Sequence, residues 1–330
     1  MRRIASKIAL LMLPVLLYFC LFAAFEPNNY FGLRQSSAST APVARVRAFR
    51  DQPGQNIIIG DSRLAHFDLE LAQQASGKEW QNLAFGGASL KESLDLANYV
   101  LDHSTEVEEI LLGLSFYTIN ASYSTDRMAA LEKTLDNPFA YLFNLEYNVN
   151  MLTSMTNWAV WMKQQAAGVP GTASTWAEAQ QEHETGDWVY PDDYTDETGK
   201  LHPVHTRLAL YPGIITPKCE GWTVSPQLER LPALAQRCTE RGVRLTVVLP
   251  PMAGNVLEEV CIPFGIAKTM EQQVLPQLDQ WAEDYGFLLV DHEWRDRPAL
   301  EDDKQFFDGF HLDERYGLPQ WTQQLFGALA

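Results

Sequence analysis

The chain has 330 residues, 46% of them hydrophobic and 20% charged, with a formal net charge of −17. That balance excludes a disordered chain and provides for one sizeable core or two small ones. The acidic excess disfavours nucleic acid and other polyanions as partners, and it suits a neutral substrate.

The first 25 residues differ from the rest. Arg2, Arg3 and Lys7 precede an uncharged apolar run from Ile8 to Phe25. Its length reaches the threshold for a membrane-spanning helix, and the basic flank predicts a cytoplasmic N-terminus. A cleaved signal peptide has the same layout, but Phe22 stands where a small residue would be needed for cleavage after Ala24, and Leu17-Tyr18-Phe19-Cys20 lacks a lipoprotein site. An uncleaved anchor over 1–25 is favoured. Both readings place the remainder outside the cytoplasm. All 42 Asp and Glu lie after this segment, so that remainder is more acidic still.

Residues 26–50 read as a linker, most clearly in the small, polar "QSSASTAPVAR" at 35–45. From residue 51 a strand and helix alternation begins. "QNIIIGDS", "EWQNLAFGG" and "EVEEILLGLSFY" are three short strands bounded by Gly, Asp or charged residues. Between the second and third, Ser89 and Glu92 form a capping box for a helix with Leu90, Leu94, Ala97 and Leu101 on one face.

A stretch at about 120–222 breaks the rhythm and reads as an insertion or cap. It holds Trp158, Trp161, Trp176, Trp188 and Trp222, which suit a small core of its own better than a sugar-binding cleft. The alternation then resumes. Ser225 caps a helix with Pro226 at its first position and Gly242 at its end, "VRLTVVLPP" is a fourth strand, and "FLLVDHE" is a fifth after another helix. Such alternation predicts an α/β fold, a parallel sheet of about five strands between two helical layers, with ligands bound at the carboxyl ends of the strands.

Ser62 falls at such an end. A serine needs a base to take its proton and usually a carboxylate to orient that base. Among the seven histidines, His311 in "QFFDGFHLDERYG" has the most informative surroundings, because Asp308 three residues earlier can hold one ring nitrogen while the other faces the serine. Arg63 reads as a solvated residue at a helix start or, second, as an attractor for an anionic substrate. His66 reads as a cleft-wall or surface residue. His202 and His205 are too isolated for a metal, and "DDYTDE" at 192–197 lacks the pattern of a calcium loop. No metal or cofactor is implied. Cys219, Cys238 and Cys261 leave room for one disulfide, Cys219 with Cys261 or Cys238, which spacing cannot choose.

Together these blocks resemble the SGNH (GDSL-like) hydrolase superfamily: Gly60-Asp61-Ser62 as the nucleophile block, Asn82 and Gly87 in "NLAFGGAS" as the second, Asp308 and His311 as the last. The resemblance spans roughly 55–325 with the middle stretch unmatched. It implies Ser62 as nucleophile, His311 as base and acid, Asp308 as its orienting partner, and an oxyanion hole from the N–H groups of Ser62 and Gly87. The third block of that family carries an Asn as further donor. This chain reads "LLGLSFYTIN" there, leaving Tyr117, Ser115 or Asn120 as replacements.

The anchor and that departure make the chain similar to the membrane-anchored branch that includes the D-alanine transfer protein of teichoic acid modification and the alginate O-acetylation proteins. That likeness implies acyl transfer to a cell-envelope polysaccharide beside a membrane-bound O-acyltransferase. An esterase using the same residues, and a catalytically weak scaffold subunit, are the alternatives.

Overall fold

The computed structural model describes residues 2–28, 30–31, 41–168, 194–210 and 218–330. Trp176, Trp188 and most of the 35–45 linker lie outside that set, while Pro42–Asp51 is a helix with Val43, Val46 and Phe49 buried. The chain divides into two compact units. One comprises residues 1–47 and 129–186, the other 48–128 and 187–330. The stretch at 120–222 therefore contributes to both.

The second unit is an α/β fold. Five parallel strands, β1 Asn56–Ile59, β2 Trp80–Asn82, β3 Glu109–Gly113, β4 Arg244–Leu249 and β5 Leu288–Asp291, form one sheet in the order β2-β1-β3-β4-β5. An all-parallel sheet must be covered on both faces, and β1, β3 and most of β4 are buried at every position accordingly. Ile58, Leu111 and Val248 point to the face covered by Leu64, Phe67, Trp321, Leu325 and Phe326. The terminal helix Gly317–Ala328 packs there on Leu69–Ser76. Helix Leu231–Glu240 packs against Leu90–His103 and Leu275–Tyr285, an arrangement compatible with three layers.

Local signals account for the ends of these elements. Ser89 accepts from Glu92 N while Glu92 accepts from Ser89 N, and both halves of the capping box are present. Ser225 caps Gln227 N, opening a 3-10 turn at Pro226–Arg230 that continues into Leu231–Glu240. The strand order reverses between β1 and β3, because the chain leaves β1 for one edge and returns on the other side. In an open parallel sheet that switch opens a crevice at the carboxyl ends of the two strands. Ser62 follows β1 and Ser115–Tyr117 follow β3, so both segments meet at that crevice.

In the first unit, helix Arg2–Phe25 lies beside helices Pro138–Leu142 and Leu145–Ala166. Tyr18 donates to Leu142 O at 2.7 Å. Glu26, Asn28 and Tyr141 form a buried hydrogen-bonded chain. Among the described residues no helix is long and apolar enough to cross a membrane.

The turn that carries His311 closes where Gly317 meets the 305 backbone. A Cβ there would overlap Gln305 O, a clash that only backbone movement can relieve. Gly317→Ala is expected to cost about 1–3 kcal/mol, measured by chemical denaturation, with a smaller effect from Gly327→Ala, whose Cβ meets nothing.

Candidate active site

β1 ends at Ile59, and Asp61 caps the short helix Ser62–Ala65 by accepting from Arg63 N at 2.9 Å. Ser62 thereby becomes the first residue of a helix at the mouth of the sheet, where its N–H has no intrahelical partner and none among the described residues. Its Oγ lies 2.7 Å from His311 Nε2. His311 Nδ1 lies 2.8 Å from Asp308 Oδ2, and the other Asp308 oxygen accepts from Phe310 N and His311 N at 2.9 and 2.8 Å. Burial alone would raise the Asp308 carboxyl, but the His311 ring and the two backbone N–H groups outweigh it and hold the group below the usual carboxylate range. Residues 249 positions apart thus form a continuous serine, histidine and carboxylate line.

Gly87 stands at φ +68°, a left-handed conformation that favours glycine. Arg127 donates to the carbonyl oxygens of Gly86 and Gly87 at 3.3 and 2.8 Å through Nη1 and Nη2, while Nε and Nη2 donate to Glu92. The carbonyls of this turn are therefore fixed on one side, and the Gly87 N–H makes no hydrogen bond among the described residues. Asn82 ties the same region to the nucleophile turn, donating to Leu64 O at 2.8 Å and accepting from Ala84 N at 2.9 Å.

Of the residues weighed as replacements in the third block, Ser115 and Asn120 are committed elsewhere, while the buried Tyr117 hydroxyl has no hydrogen-bond partner among the described residues. Ser115 donates its hydroxyl to Asp61 Oδ2 at 2.8 Å and its N–H to Thr118. Asn120 is fully buried, donating to Lys218 O and accepting from Ser122 N. Tyr117 is likewise fully buried, and burial followed by the Asp61 charge raises its hydroxyl well above the ordinary range.

Arg63 is a correction. The sequence reads it as solvated, yet its side chain is only 2% exposed. Its guanidinium pairs with Glu293 Oε1 at 2.5 Å and donates to Pro250 O and Pro251 O at 2.6 and 2.5 Å. Glu293 also accepts from Phe116 N and Trp294 Nε1. Burial raises the Glu293 carboxyl and the Arg63 charge opposes that rise. The physical reason for the correction is tertiary: the carboxylate partner is 230 positions away. His66, half-buried, contacts Glu314 through Nδ1 at 2.9 Å and so links the nucleophile helix to the His311 segment. All four cysteines are free thiols, so neither proposed pairing of Cys219 is present. Among the described residues no cluster of His, Cys, Asp or Glu has the form of a metal site.

Lys218 is the residue that sequence reasoning missed. Its Nζ sits 4.0 Å from the centre of the Tyr117 ring and 5.7 Å from that of Tyr123, and the Tyr123 hydroxyl lies 3.4 Å from where a Gly87 Cβ would be. Tyr117 in turn packs on Phe310, next to His311, at 5.8 Å. The ammonium makes no ion pair or hydrogen bond among the described residues. Burial lowers its pKa, with the charges of Asp61 and Asp308 pulling the other way. The only sequence signal was a lone lysine in an irregular stretch. The chain matches no family model and no curated protein.

Two outcomes follow from these charges. Arg63→Met leaves Glu293 buried without its counter-charge and is expected to cost about 3–5 kcal/mol; denaturation of Arg63→Met/Glu293→Met should show part of that loss recovered. A buried lysine whose pKa is lowered destabilises the fold fully below that pKa, and the penalty fades as pH rises from it toward 10.5. Lys218→Met should therefore raise the Tm at neutral pH, with the gain shrinking in alkaline buffer.

Proposed function

We propose that the chain is an extracytoplasmic serine acyltransferase of the SGNH type, anchored by Ile8–Phe25, that passes an acyl group to a hydroxyl of a cell-envelope polysaccharide beside a membrane-bound O-acyltransferase. The observation that carries the chemistry is the 2.7 Å approach of Ser62 Oγ to His311 Nε2, with Asp308 2.8 Å from the other ring nitrogen. The likeness to the membrane-anchored branch, carried by the N-terminal segment, the departure in the third block and the ending "FFDGFHLDERYG", supplies the class of acceptor and the partner. The exposed side chains of Leu10, Leu11, Leu13, Leu16 and Leu17 on the first helix support the anchor.

In this reading His311 Nε2 takes the Ser62 proton as Oγ attacks the acyl carbonyl. The oxyanion forms between the N–H groups of Ser62 and Gly87, each worth on the order of 3 kcal/mol of barrier. The leaving group departs with the proton from His311, and Ser62 carries the acyl group as an ester. An acceptor hydroxyl then gives its proton to His311 and attacks that ester, and Ser62 Oγ leaves and recovers the proton. Asp308 keeps the imidazole in the required tautomer and stabilises its charged form. Lys218 takes the side of the cleft where the third-block Asn is missing, and its positive charge favours the developing oxyanion.

Water as acceptor would make the same residues an esterase, and the outcome depends on how well the bound polysaccharide excludes it. Intact-mass and peptide spectrometry of the full chain in detergent, after exposure to an activated acetyl ester, should show an acyl increment on Ser62 that is absent from Ser62→Ala. Asp308→Asn should slow acylation by orders of magnitude without unfolding the protein. A folded wild-type chain that takes no acyl group, or a Ser62→Ala chain that takes it equally, would overturn the assignment; adding glycan hydroxyls or water to the acyl-enzyme separates transfer from hydrolysis.

A further inference from the structure

Helix Leu145–Ala166 has no charged side chain between Glu146 and Lys163. A helix on a water-facing surface places charged and polar residues on its open side. This one buries only Met151 and Ser154, and leaves Leu145 80% and Leu152 56% exposed, with Val149, Val160 and Met162 open as well. The helix before it adds Phe139 at 64%, and Phe143 in the turn between them is 67% exposed. An apolar surface of this extent on a protein marks an interaction site.

Its position relative to the first helix decides what covers it. The single Tyr18 hydroxyl proton is shared between Leu142 O and Asn148 Oδ1, 2.7 and 2.8 Å from the oxygen, and the Tyr18 ring stacks on Phe143 at 6.4 Å. Seven residues later, Phe25 packs edge-on against Trp158 at 5.6 Å. The two helices thus run side by side in the same direction, with 142–148 level with Tyr18 and Trp158 level with Phe25. At 1.5 Å per residue, Tyr18 lies about 10 Å below Phe25 along the axis. The exposed leucines at 10, 11, 13, 16 and 17 continue the same apolar surface downward.

We infer that residues 138–158 dip into the outer leaflet of the bilayer beside the anchor, and that lipid acyl chains cover Phe139, Phe143, Leu145, Val149 and Leu152. This inference rests on the reading of Ile8–Phe25 as a membrane anchor, with Phe25 at its outer boundary. A depth of about 10 Å is about a third of the hydrocarbon thickness of a bilayer. Trp158 and Trp161 then fall at the interface, where such amphipathic rings concentrate. Asn148, a polar side chain at that level, is already bonded, donating to Leu142 O and Asn144 O while accepting from Tyr18; the exposed Glu146 is the one charge on this stretch. A segment held in this way fixes how far from the membrane surface its own unit can sit.

The test uses the full chain with Cys20→Ser, the other three cysteines being buried, in phosphatidylcholine and phosphatidylglycerol vesicles. Single cysteines replacing Leu13, Phe143, Leu145 and the exposed Asp284 carry an environment-sensitive fluorophore, and phospholipids with nitroxides on their acyl chains serve as quenchers. The expected result is blue-shifted, quenched emission at Leu13→Cys, Phe143→Cys and Leu145→Cys, and water-like emission at Asp284→Cys. Quenching at Leu13→Cys with water-like emission at 143 and 145 overturns the inference and leaves the anchor standing. Blue-shifted emission at 143 and 145 that nitroxide lipids do not quench overturns it in favour of a protein surface. Absence of quenching at Leu13→Cys removes the anchor, and the inference with it.

Discussion

The ion pair of Arg63 with Glu293 is the constraint on which the site depends. Arg63 leaves the helix that begins at Ser62 and reaches the backbone carbonyls that follow β4, while Glu293, beyond β5, reaches back to the N–H of Phe116 beyond β3. One buried cation and one buried anion therefore tie together the carboxyl ends of four strands. Two charges taken out of water are expensive, and their attraction offsets that cost only when the remaining donors and acceptors are also satisfied. Here two prolyl carbonyls, a backbone N–H and an indole N–H supply those bonds. This arrangement fixes the turn from which Ser62 Oγ approaches His311 Nε2 at 2.7 Å.

The other half of the line is held by local geometry. Asp308 serves as both turn former and orienter, since one oxygen takes the backbone N–H groups that shape the turn and the other takes the imidazole. Asp61 works in the same double manner on the opposite side, capping the nucleophile helix with one oxygen and accepting the Ser115 hydroxyl with the other. Each carboxylate spends its capacity on fixing backbone, so neither has to reorganise when charge develops nearby, which is the condition for electrostatic preorganisation. Lys218 stands in contrast. It is held over aromatic rings with no carboxylate in contact among the described residues, an arrangement that costs stability.

In the first unit the same logic of satisfied polar groups operates in apolar surroundings. Tyr18, Asn148, Glu26, Asn28 and Tyr141 bond one another and the backbone, beside the exposed Phe139, Phe143, Leu145, Val149 and Leu152. The interior of this unit is apolar as well, with Phe22, Leu131, Leu142 and Met151 buried, as Ile57–Ile59, Leu111 and Val247–Leu249 are in the second unit.

Short-range features were legible in the sequence because they depend on residues a few positions apart. The isoleucine run of β1, the Ser89 and Glu92 capping box, the Ser225 cap and the Asp308 to His311 spacing all close within one turn or one strand, so periodicity and hydrogen-bonding chemistry determine them without reference to the rest of the chain. The alternation of those elements also determined an α/β fold with a parallel sheet. Tertiary structure alone decided which distant groups meet at the strand ends: that Arg63 is buried on Glu293 and not solvated, that Ser115 and Asn120 are occupied while Lys218 comes over Tyr117, and that helix Leu145–Ala166 leaves its apolar side open. The reason is physical. A strand order of β2-β1-β3-β4-β5 brings side chains more than 200 residues apart within hydrogen-bonding distance, and no local pattern in the chain encodes which of them will pair.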